Sequence, residues 1–424
     1  MRLRTAVGPL DAVVDVPGSK SIANRALVCA ALAGGNSELT NVPGGDDTAA
    51  MIECLRQLGI GVARNGPLTA VTGGDGPPTA RNVRLDARLA GTTSRFVTAL
   101  AALAPGPVTI DGGPPLRRRP MLALHQALDA MGATVTPLEQ RGCLPVTVEG
   151  PIVEGGAIEL PGDVSSQYLT ALMLIGPLLR GGLRLVLTTP LVSRPYVAMT
   201  ASVMGEFGVE GVEVGDRSIV VRAGRYLGRR FEIEPDASSA SYPLAMAAVA
   251  GGRVEVRGLR ASSVQGDARC ADLLGRMGCT VLEGADGVGV RRERDRPLTG
   301  IDADLADVSD LVPTLAVVAA TASTPTTITG VGFIRAKESD RLADLAGELT
   351  KVGASVAVDP DGLRIEPVPK LHGAALSTHH DHRLAMAFGV LGAAVRGVDV
   401  LQPDVVEKSW PEFWSFRDQL LAPS

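Results

Sequence analysis

A repeat with a period near 70 residues constrains the fold of this chain more than any other feature of its sequence. Three markers share this period: a large apolar residue followed by glycine, a turn into a short β-rich strand, and a small or polar residue that opens a helix rich in Ala and Leu. Glycines of the first marker lie 73, 76, 70 and 75 residues apart, at Gly59, Gly132, Gly208, Gly278 and Gly353. The third marker occurs at Ser21, Thr92, Ser166, Ser239, Asp310 and Asp381. Agreement of three markers predicts six copies of one structural unit.

Each copy reads as strand, apolar helix, strand, amphipathic helix and strand, which predicts an α/β protein. The first helix of each copy is apolar nearly all round and is therefore expected to be buried. These helices are predicted around residues 26–32, 96–103, 169–179, 242–250, 311–320 and 384–395. Six such units exceed one ordinary hydrophobic core, so we expect two lobes of three units. An open solenoid is the alternative, but solenoid repeats are generally shorter than about 45 residues.

Composition excludes several classes of protein. Apolar residues make up 45% of the 424 residues and charged residues 21%, which argues against long disorder. The longest apolar stretches are shorter than the roughly 20 residues of a membrane span, and no apolar segment of a secretory signal follows Met1. A net charge of −5 and an aromatic content of 3% oppose nucleic-acid binding. We therefore expect neither a membrane nor a nucleic acid as partner.

Cysteine and motif patterns argue against a metal or a cofactor. The five cysteines are scattered and form no CxxC pair, which opposes a disulfide framework or a structural zinc site and suits a reducing cytoplasm. The cluster at 379–382 is too tight to place three ligands on one ion. No phosphate-binding loop, dinucleotide fingerprint or nucleophile elbow is found. The sequence therefore predicts no metal and no cofactor.

Unusual polar residues collect in the first turns of the six apolar helices, in segments 17–25, 91–95, 163–167, 236–239, 307–310 and 379–383. Helix N-termini carry unpaired N–H groups and partial positive charge, so they favour anions. Capping accounts for the Ser and Thr residues. It does not account for the cations that the helix dipole opposes, which are Lys20, Arg25, Arg95 and Arg383. An anionic ligand would offset that cost, so we expect the helix ends to converge on an anion-binding gap.

Further cations occur in loops at matching phases of the repeat, within 117–119, at Arg194, within 335–341 and at Lys408. They indicate that two or more anionic groups are held together. Asp310 and Glu338 lie among these cations, and bound anions would raise the pKa of both carboxyl groups, which suits acid–base chemistry. We interpret Asp46, Asp47 and Asp236 as caps or turns.

Two motifs resemble one enzyme family. The run Pro17-Gly18-Ser19-Lys20-Ser21, followed by Asn24 and Arg25, resembles the N-terminal signature of the 5-enolpyruvylshikimate-3-phosphate synthases, and the run from Arg335 through Lys337, Glu338 and Arg341 resembles their second signature. Further matches follow in chain order around residues 90–95, 119–120, 164–167, 193–196, 236–241, 265–267, 381–383 and 408. The resemblance covers the whole chain.

The resemblance implies a fold and a division of the chain. The fold is a two-lobed inside-out α/β barrel built from six βαβαββ repeats, three in each lobe. One lobe comprises residues 1–17 plus 237–424 and the other residues 18–236, with the active site in the cleft between them. From the cysteine pattern we expect a cytoplasmic protein, and we expect it to be a monomer.

The resemblance also implies a reaction. The enolpyruvyl group of phosphoenolpyruvate is transferred to the 5-hydroxyl of shikimate 3-phosphate, and phosphate is released through a tetrahedral intermediate. This is a step of the shikimate pathway and a target of glyphosate, for which Gly91 leaves room. The implied catalytic residues are Lys20, Asp310, Glu338 and His382. Asp310 would deprotonate the hydroxyl, Glu338 would deliver and remove the methylene proton, and Lys20 would bridge both substrates.

The implied binding residues follow from matched motif positions. Shikimate 3-phosphate would be bound by Lys20, Ser21, Arg25, Ser165, Ser166, Gln167, Ser193, Tyr196, Asp310 and Lys337. Phosphoenolpyruvate would be bound by Lys20, Gly91, Arg119, Gln167, Arg341, Arg383 and Lys408. Two residues depart from the pattern: Leu89 and Phe333 stand where members commonly carry Asn, and an apolar ring cannot replace the side-chain hydrogen bond of Asn.

Two other functions are alternatives. A related enolpyruvyl transferase that acts on a UDP-sugar usually carries a loop cysteine, and the matching loop 116–120 has none. A non-catalytic anion-binding paralogue is the second alternative. The presence of Lys20, Asp310 and Glu338 together argues against it.

Overall fold

The computed structural model describes residues 1–422 and divides the chain into two compact units. Unit 1 consists of Met1–Pro17 with Glu234–Ser424, and unit 2 of Gly18–Ile233. The helices are α1 Lys20–Leu32, α2 Asp46–Gln57, α3 Gly91–Ala101, α4 Pro114–Arg117, α5 Leu122–Ala130, α6 Ser166–Ile175, α7 Arg194–Glu206, α8 Ala237–Ala250, α9 Cys270–Arg276, α10 Val312–Ala319, α11 Arg341–Lys351, α12 His382–Ala394 and α13 Phe413–Leu420.

The strands alternate with these helices, which confirms the predicted α/β class. They are β1 Leu10–Val14, β2 Asn36–Thr40, β3 Gly61–Asn65, β4 Leu68–Thr72, β5 Val83–Asp86, β6 Val108–Asp111, β7 Thr134–Pro137, β8 Val146–Glu149, β9 Glu154–Leu160, β10 Arg180–Leu187, β11 Val212–Val214, β12 Ser218–Val221, β13 Arg230–Glu232, β14 Gly252–Arg257, β15 Thr280–Glu283, β16 Gly287–Arg292, β17 Asp302–Asp304, β18 Thr326–Thr329, β19 Ser355–Asp359, β20 Gly362–Glu366, β21 Ala375–Ser377 and β22 Asp399–Leu401. The barrel arrangement of the sheets stays a prediction.

The predicted repeat is visible as one small sheet per copy. In residues 1–422, five sheets have four strands, with one parallel pair followed by two antiparallel pairs, as in the order β5-β6-β8-β7. In that sheet Leu85 lies opposite Ile110, and Ile110 lies opposite Val146. All three side chains are buried, so this register turns one face of the sheet to the core. Within the described residues, the sixth sheet consists of the parallel pair β21 and β22.

The glycine marker of the repeat has a conformational cause. Each of its five glycines has φ between +86° and +103° and directly follows the C-cap residue of a helix. At Gly59, for example, the backbone N–H bonds to the carbonyl of Arg56, and the N–H of Ile60 bonds to that of Leu55. A left-handed residue at this position ends a helix, and glycine adopts it without the penalty that a Cβ incurs.

Two strands are exchanged between the units. β1 directly precedes α1 in the chain, yet it pairs in parallel with β14, which follows α8. Conversely, β13 precedes α8 and pairs with β2, which follows α1. The chain therefore passes from one unit to the other twice, after Pro17 and after Ile233. In unit 1 the N–H of Asp236 donates to the carbonyl of Pro17 at 2.9 Å, which joins the two passages.

Each unit has its own core of apolar helices. In unit 2, α1, α3 and α6 contact one another, and in unit 1 α8, α10 and α12 do so. Almost every residue of these six helices is buried, as their all-round apolar character predicted. Among the helices within residues 1–422, none combines the length and the apolar character needed to cross a bilayer.

Candidate active site

The motif that begins at Pro17 forms the entry into α1, the first helix of unit 2. Ser19 is the N-cap of α1, and its Oγ accepts a hydrogen bond from the backbone N–H of Ile22 at 3.4 Å. A Cβ on Gly18 would collide with the carbonyl oxygen of Asn41. The glycine and the first serine of the motif are therefore explained by local packing and capping.

Lys20 is the first residue of α1, and its ammonium group is held by a carboxylate. Nζ of Lys20 lies 2.9 Å from Oδ2 of Asp47, which is almost fully buried. The backbone carbonyl of Asp47 accepts a hydrogen bond from Thr93 Oγ1 at 3.1 Å. The interpretation of Asp46 and Asp47 as caps or turns was wrong: both lie in the first turn of α2, whose cap is Gly45. Sequence reasoning missed Asp47 because its partner is 27 residues away.

Arg25 is buried among acceptors of its own unit. Its guanidinium donates four hydrogen bonds of 2.7–3.2 Å, to Thr200 Oγ1, Thr170 Oγ1, the carbonyl of Ser21 and the carbonyl of Tyr196. Burial lowers the pKa of Arg25 to about 10, against the opposing effect of Tyr196. Because an arginine has five N–H groups, one at most is left for a ligand. Arg25 thus joins α1 to α6 and α7.

Three predicted serines and one glutamine lie where α6 and α7 begin. Ser165 caps α6 by accepting a hydrogen bond from the N–H of Gln167 at 3.3 Å, and Ser166 is its first residue. The amide of Gln167 donates to Thr92 Oγ1 at 3.3 Å, which links α6 to α3. Ser193 precedes α7 with φ of +54°, an uncommon value for serine. These residues form one polar edge of unit 2.

Gly91 begins α3, and Arg119 lies directly against it. A Cβ on Gly91 would fall within 3.0 Å of three atoms of the Arg119 guanidinium. Arg95 connects the same segments: it donates to the carbonyl of Gly91 at 3.2 Å and to that of Pro120 at 2.9 Å. Tyr168 also donates to the carbonyl of Pro120. The start of α3 and the loop after α4 are therefore held together.

In unit 1, one buried guanidinium joins three carboxylates. Arg341 begins α11 and is 1% exposed. Its Nε lies 2.7 Å from Asp381 Oδ2, its Nη1 2.9 Å from Asp310 Oδ1, and its Nη2 2.8 Å from Glu338 Oε2. Burial alone would lower the pKa of Arg341, but the charges of the three carboxylates outweigh burial and bring this pKa above its usual range. The two carboxylates predicted to act as acid and base thus share one cation.

The rise in the pKa of Asp310 that bound anions are expected to cause stays a prediction, and the charges of the chain itself act in the opposite direction. Burial does favour the neutral acid, but Arg383, Lys337 and Arg341 together bring the pKa of Asp310 well below its usual range, against the opposing charge of Glu338. Arg383 Nη2 lies 2.7 Å from Asp310 Oδ2. Asp310 sits in a short 3₁₀ turn that runs into α10. The carboxyl group of Asp310 is therefore ionised, because these three cations stabilise its charged form.

The start of α12 is held by Asp381. This fully buried residue is the N-cap, accepting a hydrogen bond from the N–H of Arg383 at 2.9 Å. Ser339 Oγ lies 3.4 Å from the other oxygen of Asp381. The ring of His382, the first residue of α12, is buried, with Nδ1 3.6 Å from Asp381 Oδ1. Lys408 is also nearly buried and ends a 3₁₀ helix of unit 1.

The two departures from the family pattern have different surroundings. Phe333 is half-buried against the core of unit 1, and Nζ of Lys337 lies 5.8 Å from its ring centroid. A cation over an aromatic face is attracted to it, so Phe333 helps to place the ammonium group of Lys337. Leu89 is 40% exposed, and its side chain lies against Gly113, where a Cβ would come within 2.9 Å of Leu89 Cδ2.

Asp267 is a second residue that sequence reasoning left without a role. Burial raises the pKa of Asp267 to about 7, and the charge of Asp310 adds to this, against Arg383 and a hydrogen bond from Ser238. Ser238 stands in the first turn of α8. The cap of α8 is Asp236, as predicted, which accepts from the N–H of Ser238 at 2.8 Å. Asp267 ends the run 265–267, which matches the family pattern, and this match is the signal in the sequence that could have pointed to Asp267.

The predicted site residues fall into two groups, one in each unit. Unit 2 carries Lys20, Ser21, Arg25, Gly91, Arg119, Ser165, Ser166, Gln167, Ser193 and Tyr196. Unit 1 carries Asp310, Lys337, Glu338, Arg341, His382, Arg383 and Lys408. Within residues 1–422, no group of three His, Cys, Asp or Glu side chains is arranged to hold a metal ion.

Known proteins resemble the chain over nearly its full length. Residues 5–416 match a family model described as EPSP synthase (3-phosphoshikimate 1-carboxyvinyltransferase). A 3-phosphoshikimate 1-carboxyvinyltransferase of Nostoc sp. (strain PCC 7120) is 42% identical over 410 residues, which are 96% of this chain and 96% of that protein. One of Methanoculleus marisnigri is 42% identical over 409 residues, with the same two shares.

The fold also resembles a solved structure. An EPSP synthase from Acinetobacter baumannii superposes with a TM-score of 0.82 over 99% of this chain and 97% of that chain. The sequence identity is 24%, so this likeness concerns the fold alone.

Proposed function

The chain belongs to the EPSP synthase family, and we propose that it transfers the enolpyruvyl group of phosphoenolpyruvate to the 5-hydroxyl of shikimate 3-phosphate, with release of phosphate. The observation that carries this proposal is the cluster around Arg341, which joins Asp310 and Glu338 in a surrounding rich in cations. The reaction needs two acid–base groups and several cations for its phosphate and carboxylate groups.

The reaction proceeds by addition and elimination. Glu338 delivers a proton to the methylene carbon of phosphoenolpyruvate, which leaves an electron-poor C2. The 5-oxygen attacks C2 as its hydroxyl proton passes to Asp310, and a C–O bond forms in a tetrahedral intermediate. Phosphate then leaves with the electrons of its C–O bond, and Glu338 takes a proton back from the new methyl group. His382 assists Lys20, Asp310 and Glu338 at the reacting atoms.

The charge on Asp310 is controlled by the cations that also bind substrate. Arg341 and Arg383 hold the pKa of Asp310 low, which makes its carboxylate a weak base. When the carboxylate and phosphate of phosphoenolpyruvate pair with these two arginines, they offset part of the positive field at Asp310. The pKa of Asp310 then rises towards the range in which it accepts the hydroxyl proton. Binding of substrate thus activates the base.

The residues of unit 2 hold shikimate 3-phosphate. Its phosphate binds the hydroxyl groups of Ser165, Ser166 and Ser193 together with Lys337 of unit 1. Tyr196 and Gln167 lie along its ring, and Ser21 and one N–H of Arg25 face its carboxylate. The remaining hydrogen bonds of Arg25 set the positions of α1, α6 and α7.

Phosphoenolpyruvate takes the other cations. It binds Arg119 beside the backbone of Gly91, and Arg341, Arg383 and Lys408 of unit 1, with Gln167 beside it. Lys20 bridges both substrates and stabilises the charge that develops between them. Because both groups of residues are needed on one pair of substrates, we propose that the site forms in a cleft between the two units.

The proposal includes a setting. All five cysteines are free and buried thiols, which suits the reducing cytoplasm in which we place the reaction. The expected monomer stays a prediction.

Phosphate release from shikimate 3-phosphate and phosphoenolpyruvate tests the function. The wild type should release one phosphate per product, and Lys20→Met should lower kcat by about 100-fold or more, the usual size of a lost electrostatic contact in a transition state. Lys370→Met is the matched control, because Lys370 is exposed and outside the site. Circular dichroism should show that both variants are folded.

Two results would contradict the proposal. Release of phosphate with a UDP-sugar as acceptor, but not with shikimate 3-phosphate, would assign the chain to the other transferase. No turnover of any acceptor by a folded protein would indicate an anion-binding paralogue.

A further inference from the structure

The loop between β21 and α12 has an uncommon backbone. His379 and His380 are both in the left-handed region, with φ of +48° and +58°. Residues other than glycine rarely adopt this conformation, and more rarely in succession. The next residue, Asp381, is the N-cap of α12. The left-handed pair therefore determines where α12 begins, and with it the position of His382.

The ring of His379 lies between two carboxylates of α11. Its Nε2 is 2.7 Å from Glu348 Oε1, and its Nδ1 is 3.4 Å from Asp344 Oδ1. Glu348 is almost fully buried and also accepts hydrogen bonds from Lys351 at 2.8 Å and from the N–H of Ser377 at 3.0 Å. Each ring nitrogen of His379 therefore faces one carboxylate of α11.

The same helix holds the loop at a second point, inside the proposed site. Arg341, the first residue of α11, binds Asp381 at 2.7 Å, and Asp344 and Glu348 follow on α11 one and two turns later. α11 therefore holds both ends of the left-handed segment, one end through Asp381 and the other through His379. A shift at His379 moves the acceptor that orients Arg341.

We propose that His379 is a positioning residue for the reaction: through its contacts with Asp344 and Glu348, it holds the loop in which Asp381 orients Arg341 and begins α12. This inference rests on the proposed function, in which Arg341 and Arg383 bind phosphoenolpyruvate. His379 itself does not contact the reacting atoms.

Charged neighbours surround this contact. Lys351 pairs with Glu348 at 2.8 Å, and Asp340, which acts on Asp344, pairs with Arg335. Loss of the His379 ring would leave the carboxylates of Asp344 and Glu348 without the contact that joins them to the loop. The loop then loosens, and phosphoenolpyruvate binds more weakly.

Paired substitutions at the two histidines test the proposal. Asn tolerates the left-handed region, so His379→Asn and His380→Asn both retain the backbone, but Asn is too short to reach both carboxylates. His380 is exposed, and no ion pair of its ring is found in the described part of the chain, which makes it the matched control. His379→Asn should raise KM for phosphoenolpyruvate about fivefold with little change in kcat, the size expected when a partly exposed polar contact is lost. His380→Asn should leave both constants unchanged.

A readout without turnover separates this proposal from the proposed function. In protein labelled with ¹⁵N-histidine, Asp344→Asn should shift the ring signals of His379 while those of His380 stay in place. Asp344→Asn should also raise KM for phosphoenolpyruvate, which keeps the test open if His379→Asn fails to fold. Equal KM values in the wild type and both histidine variants would overturn the proposal, as would unchanged His379 signals in Asp344→Asn. Absence of turnover in the wild type would instead overturn the proposed function.

Discussion

Arg341 and Asp267 are single residues in which burial of a charge has opposite outcomes. Three carboxylates surround Arg341, so its guanidinium stays charged although almost no solvent reaches it. Asp267 is similarly buried, but the nearby charge of Asp310 is of the same sign, and burial together with that charge raises the pKa of Asp267 to about 7. A buried acid beside a second acid remains protonated near neutral pH. Similar burial thus leaves Arg341 charged and favours the neutral form of Asp267, because the neighbouring charges differ in sign.

Asp267→Asn should reduce the loss of stability with rising pH. The carboxyl group of Asp267 loses its proton near pH 4 in the unfolded chain but near pH 7 in the folded one, so folding takes up a proton between these values. The stabilisation from the retained proton is present below pH 4 and is lost as pH rises to 7. Asn cannot ionise. Urea unfolding should therefore show the variant gaining stability relative to the wild type between pH 5 and pH 8.

Asp286→Asn is the control for this prediction, since Asp286 is an exposed acid of the same unit. The same pH dependence of stability in the wild type and in Asp267→Asn would contradict the expectation.

Contacts between elements explain several features that motifs leave obscure. The start of α3 carries no side chain at Gly91, and this is where the guanidinium of Arg119 lies, in the loop that follows α4. Arg95 fastens the same loop through Pro120. The glycine in the motif therefore makes room for a cation of this chain.

Gly91→Ala should displace the guanidinium of Arg119, because the new Cβ would fall within 3.0 Å of it. Loss of a hydrogen bond to a charged group costs about 1.5–3 kcal/mol, so KM for phosphoenolpyruvate should rise about tenfold or more. Inhibition by glyphosate should weaken as well. Steady-state kinetics with each ligand measure both effects. Gly205→Ala in α7 is the control, because its Cβ would meet no neighbouring atom. Unchanged kinetics in Gly91→Ala would show that this space is not used.

The strand exchange determines which parts of the chain can fold alone. Unit 2 is continuous from Gly18 to Ile233, and its own β13 completes its first sheet. Unit 1 needs β1 from the N-terminus, because without it β14 would expose an unpaired edge. Each unit has a separate buried core. Each unit can form its own core, but only unit 1 depends on a strand from a distant part of the chain. We therefore expect the two units to differ in whether they fold alone.

A fragment of residues 18–233 should therefore fold and unfold cooperatively, whereas residues 234–424 should aggregate or remain unfolded. Joining residues 1–17 to 234–424 through two glycines should restore folding, because Pro17 and Asp236 are already hydrogen-bonded neighbours. Denaturant unfolding followed by circular dichroism distinguishes these outcomes. Cooperative unfolding of residues 234–424 alone would contradict the role given to β1.

Much of the candidate site could be predicted from local patterns in the sequence. The first-turn residues Lys20, Ser166 and Arg383 stand where the helix signals placed them, because capping and the end of an apolar run depend on neighbours in the chain. The partners of these residues were not readable. Lys20 meets Asp47, and Arg383 meets Asp310, across long separations in sequence.

The period of the repeat, the α/β class and the burial of the apolar helices follow from the sequence, since each depends on side-chain spacing along a single element. The exchange of β1 and β13, the low pKa of Asp310 and the engagement of Arg25 came only with the folded chain. Pairing of distant strands and the field at a buried carboxyl group depend on which residues meet in space. A local pattern in the sequence does not specify which distant residues come into contact, because those contacts result from the packing of all the elements together.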